Sequence, residues 1–232
     1  MRAVNQLGYG LLELLIGLSV SLMVMLAALS MMTSASVTQT RLDAKTSLSL
    51  ELSRLLTMME SDIRRAGLCY QCGETRAFQV DKHLIMIENI DGTHNIDGTG
   101  ETDGTDGIDD ADNITQGQCI RFAYQQTGVT PQLDAGREDV KGFRFDADNQ
   151  AVEIYENHDD TDNWRCKFGY WRDISSRNIV IDNLTFEREE VSTSNGRVVT
   201  ALTITLSAAL KEAPHTQESL SRTLVLRNTM RQ

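Results

Sequence analysis

Proline is almost missing from this 232-residue chain: Pro131 and Pro214 are the only two. With none before residue 131, covalent geometry interrupts no helix in the first half. Positive charge is also short. Lys and Arg number 22 against 33 Asp and Glu, a formal net charge of −11, and that balance disfavours general nucleic-acid binding through phosphates. The four histidines, His83, His94, His158 and His215, have no metal-ligand spacing. No Gly-x-Ser-x-Gly elbow is present, and no glycine loop opens a helix to cradle a phosphate. These absences remove the usual hydrolase, zinc-enzyme and nucleotide-binding patterns, so the chain is expected not to be an enzyme.

The most consequential absence is of charge near the N-terminus. From Leu14 to Met32 there is no Asp, Glu, Lys or Arg, and nineteen helical residues span about 28 Å, roughly one bilayer core. Glu13 stands at the mouth of this run. A carboxylate there costs on the order of 2 to 3 kcal/mol unless it is paired or near the interface, so it demands a partner. A cleaved secretory signal fits poorly, because the run is too long and an acid opens it. A plain anchor would leave Glu13 unexplained.

A second helical stretch follows. Leu48, Leu52, Leu55, Met59, Ile63 and Ala66 recur at spacings of three and four and share one helical stripe, with the charged residues largely off it. Gly67, preceded by Arg64 and Arg65, is a natural stop. A helix from Leu11 to Ala66 would be about 84 Å long, half for a membrane or filament core and half for packing on a domain.

Past Gly67 the period changes to short apolar runs. Ala77 to Val80, His83 to Glu88, Cys119 to Gln125, Gly142 to Asp146, Ala151 to Glu156, Arg165 to Trp171, Asn178 to Glu187, Val198 to Leu206 and Ser219 to Arg227 read as strands. Asp148-Asn149-Gln150 and Ser194-Asn195-Gly196 read as hairpin turns. The expected organisation is a transmembrane segment at 9–32, a helical stem packing on a head at 33–67, and a β-rich head at 68–232. The fold class is therefore α+β: a long N-terminal helix packed on an antiparallel sheet.

Cys69, Cys72, Cys119 and Cys166 all fall in the head. An even count in an exported region suggests two disulfides, with three pairings open. A bridge from Cys69 or Cys72 to Cys119 or Cys166 would tie stem to sheet, and its long loop would be worth roughly 4 to 5 kcal/mol. Zinc is disfavoured because only Cys69-x-x-Cys72 has the close spacing, and no thioredoxin-like βαβ pattern surrounds that pair.

The loop 91–113 holds eight acids, five glycines and no Lys or Arg, with Asp-Gly-Thr recurring every six residues. Its aspartates, Asp97, Asp103 and Asp109 among them, are calcium candidates, yet an EF-hand frame puts Thr93 and Gly104 where carboxylates belong. A solvated low-complexity loop without cofactor is the preferred reading. Asp159, Asp160 and Asp162 form a second acidic turn. Trp164, Phe168, Tyr170 and Trp171 alternate with Arg165, Lys167 and Arg172, a pattern that a nucleic-acid or glycan surface and a half-buried strand both explain.

Gly8-Tyr9 followed by Glu13 resembles the class III signal of type IV pilins and type II secretion pseudopilins. In those families the leader ends in Gly, an aromatic residue follows, and Glu is fifth in the mature chain. The resemblance implies a leader at 1–8, cleavage between Gly8 and Tyr9 by a membrane-embedded prepilin peptidase, N-methylation of Tyr9, and pairing of Glu13 with the N-terminal amine of a neighbouring subunit. Gly10 departs from the usual Thr, and Ser30 stands where many major pilins carry a kinking proline. Asp62-Ile63-Arg64-Arg65-Ala66-Gly67 with Cys69 is similar to the helix ending of PilW-type minor pilins, J-type pseudopilins and the prepilin-peptidase-dependent protein B group. That likeness implies a non-enzymatic minor subunit that initiates or caps a type IV pilus with other minor pilins and the major pilin. It would sit in the inner membrane with a periplasmic head before moving to the filament tip. A J-type pseudopilin, and a calcium-dependent tip adhesin or DNA-uptake module, are the alternatives.

Overall fold

The computed structural model describes residues 10–69, 84–89, 115–125, 139–156, 164–192 and 198–226. The chain divides into two compact units, Met1–Thr46 and Ser47–Gln232. One helix, α1, runs Leu11–Ile63 and enters both.

In the first unit the helix is apolar and exposed. Its long side chains from Leu11 to Leu42 all face outward. It is long and apolar enough to cross a membrane. Its hydroxyl residues turn back on their own helix: Ser19 donates to the Ile16 carbonyl and Ser21 to the Gly17 carbonyl. This removes a polar group from an apolar surface without a partner chain.

In the second unit the helix buries a stripe. Leu48, Leu52, Leu55, Leu56, Met59 and Ile63 are all buried, which bears out the three-and-four spacing. The helix ends at Ile63, three residues before the expected Ala66, and residues 64–67 form turns. Gly67 adopts φ 75°, a conformation that costs glycine nothing. Its N–H then donates to the Ala123 carbonyl at 2.8 Å, and the Leu68 carbonyl accepts from Gln125 N–H at 2.9 Å. The helix exit is thereby fastened to the end of a strand.

Nine strands follow among the described residues: β1 Ile85–Glu88, β2 Gln116–Gly117, β3 Cys119–Ala123, β4 Val140–Asp146, β5 Ala151–Tyr155, β6 Trp171–Asp173, β7 Ile179–Ser192, β8 Val198–Leu210 and β9 Ala213–Leu226. They form two antiparallel sheets, ordered β1-β3-β4-β5-β6 and β2-β7-β8-β9. The α+β expectation holds, with two sheets in place of one. The chain passes from one sheet to the other within Gln116–Ala123. Gly117 sits at this crossing, where a Cβ would lie 2.5 Å from the Glu88 carbonyl oxygen, so a larger residue would push the sheets apart.

Most expected strands exist. The β4–β5 hairpin turns at residues 147–150, with Gln150 at φ 51°. β2 was not anticipated, and β9 begins six residues before the expected Ser219. The expected strand Ala77 to Val80 and the turn Ser194-Asn195-Gly196 lie outside the described residues.

Arg165 to Trp171 is corrected. Only Trp171–Asp173 is a strand, and the preceding residues form a strap of bends across the five-stranded sheet. Trp164 and Trp171 anchor that strap, as described below, while Arg165, Lys167, Phe168 and Tyr170 stay exposed.

The helix stripe and the inner faces of both sheets share one core. It includes Ile120 and Phe122 of β3, Phe143 of β4, Ile181, Leu184 and Phe186 of β7, Ile204 of β8 and Leu224 of β9. A bulge between Ile181 and Asn183 explains the spacing on β7. One extra residue shifts the inward set from Ile179 and Ile181 to Leu184 and Phe186, leaving Asp182 exposed.

Candidate assembly site and the strapped sheet face

Glu13 lies in the first turn of α1. Its backbone N–H donates to the Gly10 carbonyl at 2.9 Å, so the helix start is formed locally. The side chain is exposed, and among the described residues no group pairs its carboxylate. Gly8 and Tyr9, the expected processing residues, lie outside the described residues. Glu13 is thus a free acceptor beside a charge-free apolar run, an arrangement fitted to accept a cation from another chain.

Cys119 and Cys166 form a disulfide, with Cα atoms 6.0 Å apart. Of the three pairings left open, this is the one without a stem-to-sheet bridge. Cys119 and Cys166 bind each other, so neither reaches Cys69 or Cys72. Cys69 is itself disulfide-bonded, and Cys72 lies outside the described residues. The physical reason lies in the sheet: Cys119 on β3 faces away from α1, towards the strap that carries Cys166, and the helix end was never its nearest neighbour.

That face of the five-stranded sheet is the part sequence reasoning missed. Met86, Glu88, Arg121, Arg144 and Glu153 alternate with the core residues of their strands and so point to the opposite side. Arg121 is 2% exposed. It forms an ion pair with Glu88, donates through Nη1 to the Trp164 carbonyl at 2.6 Å, and lies 5.2 Å from the Trp164 ring centroid. Arg144 repeats the arrangement two strand residues away in register. It pairs with Glu153, donates to the Cys166 carbonyl at 2.6 Å, and sits 4.6 Å from the Trp171 ring centroid. Gly142 makes room for that ring, since a Cβ there would lie 3.0 Å from Trp171 Cη2. Ala123, Val140, Tyr155 and Trp164 complete a second small core. The sequence signal was an arginine inside each of two apolar strands, which usually means a buried charge with a partner.

The acidic groups divide accordingly. Carboxylate oxygens of Asp146, Glu153 and Asp173 lie within 4.8 Å of one another. Burial raises the Glu153 pKa above its ordinary value, against the opposing pull of Arg144. Asp146 is engaged in the hairpin, accepting from the N–H groups of Asp148 and Asn149. These groups serve an ion pair and a turn. The calcium candidates Asp97, Asp103 and Asp109, and the turn with Asp159, Asp160 and Asp162, lie outside the described residues.

A polar clasp joins β9 to the buried half of α1. Arg222 donates to Ser53 Oγ at 3.0 Å, Thr57 Oγ1 at 3.1 Å and Glu60 Oε2 at 3.1 Å. Hydrogen bonding from Arg64, with a further contribution from Arg222, lowers the Glu60 pKa.

An exposed apolar N-terminal helix that continues into the core of an antiparallel β head defines an α+β, pilin-like protein with a candidate membrane anchor. More particularly, the chain belongs to the prepilin peptidase-dependent protein B family, whose model matches residues 41–226. The match takes in the buried half of α1 and every described strand and leaves out Glu13. No curated protein and no solved structure matches the chain.

Proposed function

We propose that this chain is a minor pilin that helps to initiate or cap a type IV pilus. A prepilin peptidase cleaves between Gly8 and Tyr9 and methylates the new amine of Tyr9. The subunit waits in the inner membrane with its head in the periplasm, then passes to the filament tip beside other minor pilins and the major pilin. It performs no chemistry of its own. The observation that carries this reading is Glu13: an exposed carboxylate without a described partner, at the head of an apolar helix, in a chain of a prepilin peptidase-dependent family. The amine of a neighbouring subunit would neutralise it inside the filament.

The test is genetic and chemical together. Deleting the gene should abolish or sharply reduce surface filaments, and the wild-type chain should restore them while Glu13→Ala does not. Mass spectrometry of the membrane-extracted protein should find Tyr9 as the N-methylated first residue. Retained Met1, or full rescue by Glu13→Ala, would sink the proposal. If deletion instead blocks protein secretion and leaves pili intact, the chain serves a secretion pseudopilus.

A further inference from the structure

Residues 164–171, Trp-Arg-Cys-Lys-Phe-Gly-Tyr-Trp, hold two cations and no acid in a chain of net charge −11. They form the strap over the five-stranded sheet, and it is tied down at several points along its length. The disulfide joins Cys166 to β3. Arg121 and Arg144 hold the carbonyls of Trp164 and Cys166 from beneath. Trp164 Nε1 donates to the Lys141 carbonyl at 3.1 Å, and Trp171 Nε1 donates to the carbonyls of Arg165 and Phe168 at 3.2 and 3.0 Å. Gly169 supplies the positive φ of 104° that closes the turn.

What this anchoring leaves outside is informative. Both tryptophans are used as anchors, while Phe168 is 62% exposed and Tyr170 47% exposed. Arg165 and Lys167 are exposed beside them. A loop free to relax would fold its phenylalanine onto the protein surface. Here the bends hold the ring out in water, with Lys167 Nζ 5.9 Å from its centroid and most of its apolar surface still uncovered. A loop already ordered in the free protein gives up little entropy when it is bound.

We infer that the strap is a preformed docking surface for an acidic protein partner. Phe168 and Tyr170 enter an apolar pocket, and Arg165 and Lys167 meet carboxylates at its rim. Aromatic rings with an arginine beside them are enriched at interfaces, tyrosine and arginine at their hot spots. Two cations are too few to carry phosphate-backbone binding against the overall negative charge, which favours a protein over a nucleic acid. The inference rests on the reading of the chain as an assembling subunit, so the partner is another prepilin-type chain with an acidic face.

The experiment places p-benzoylphenylalanine at position 168, 170 or, as a control on β9, 223 of the full chain, in cells that assemble the filament. Illumination should give one discrete adduct from 168 and 170 and none from 223. Mass spectrometry should identify another prepilin-type chain, joined through a peptide containing Asp or Glu. Arg165→Glu with Lys167→Glu should lower the adduct at least tenfold, with the Cys119–Cys166 bond still present on non-reducing peptide maps. An intact disulfide without an adduct, an adduct to nucleic acid or lipid, or an adduct indifferent to charge reversal would overturn the inference. Filament loss on gene deletion is scored separately. If filaments are lost but no adduct forms, only the docking surface fails; if the adduct forms but filaments survive deletion, only the assembly role fails.

Discussion

The two halves of α1 are both rich in leucine and methionine, yet residues 11–43 lie exposed while Leu48, Leu52, Leu56, Met59 and Ile63 are wholly buried. The difference is one of pattern. The first half is apolar on every side, so no single protein face could cover it, and its surface calls for lipid or for many neighbouring helices. The second half confines its apolar residues to a stripe and presents Glu51, Arg54 and Glu60 elsewhere, which suits a β core lying against one side of it. Hydrophobicity thus says that a helix is to be covered, and periodicity says by how much of a surrounding.

The sharpest way to break this comparison is to change one half and read the other. Replacing Cys119 and Cys166 together by Ser removes a cross-link spanning 47 residues, and should cost the head roughly 4 kcal/mol. Thermal melting of the head checks this, and membrane retention should be unchanged. Leu52→Ala empties a fully buried site and should cost about 3 kcal/mol. Leu22→Ala, in the exposed half, should leave the melting of the head where it was. Equal effects from the two leucines would end the distinction drawn here.

Arg222→Ala removes a clasp that is partly open to water, and should cost about 1 kcal/mol in chemical denaturation. The smallest effect is on pH. Because the Glu60 pKa is lowered in the folded protein from its ordinary 4.5, its stabilising contribution is complete above that value and is lost as pH falls through the folded one. Glu60→Gln should therefore flatten the acid limb of the stability profile. Glu153 acts in the opposite sense, since its pKa is raised: its relative contribution is present at low pH and is lost as pH rises through the folded value.

Much of the head was legible as a series of segments. β3, β4, β5, β7 and β8 lie where alternating and β-branched runs place them, and the helix stripe follows its three-and-four spacing from Leu48 to Ile63, with Leu56 added and Ala66 beyond the helix end. Arg165 to Trp171 misled because a strap pinned every second or third residue imitates the period-two signal of a strand. β2 is two residues long and carries no period. The disulfide pairing was illegible for a related reason: chain distance says nothing about which cysteines share a face of a sheet.

The sequence by itself determined the apolar helix, the stripe that continues it, the acid at its mouth and the antiparallel strands of the head, because each depends on neighbours within one turn or a few strand residues. Only the tertiary structure decided that there are two sheets, that Arg121 and Arg144 anchor a strap, and that Cys119 meets Cys166. Those outcomes depend on register and facing between segments far apart in the chain, where a one-residue shift in a strand turns every side chain to the other side.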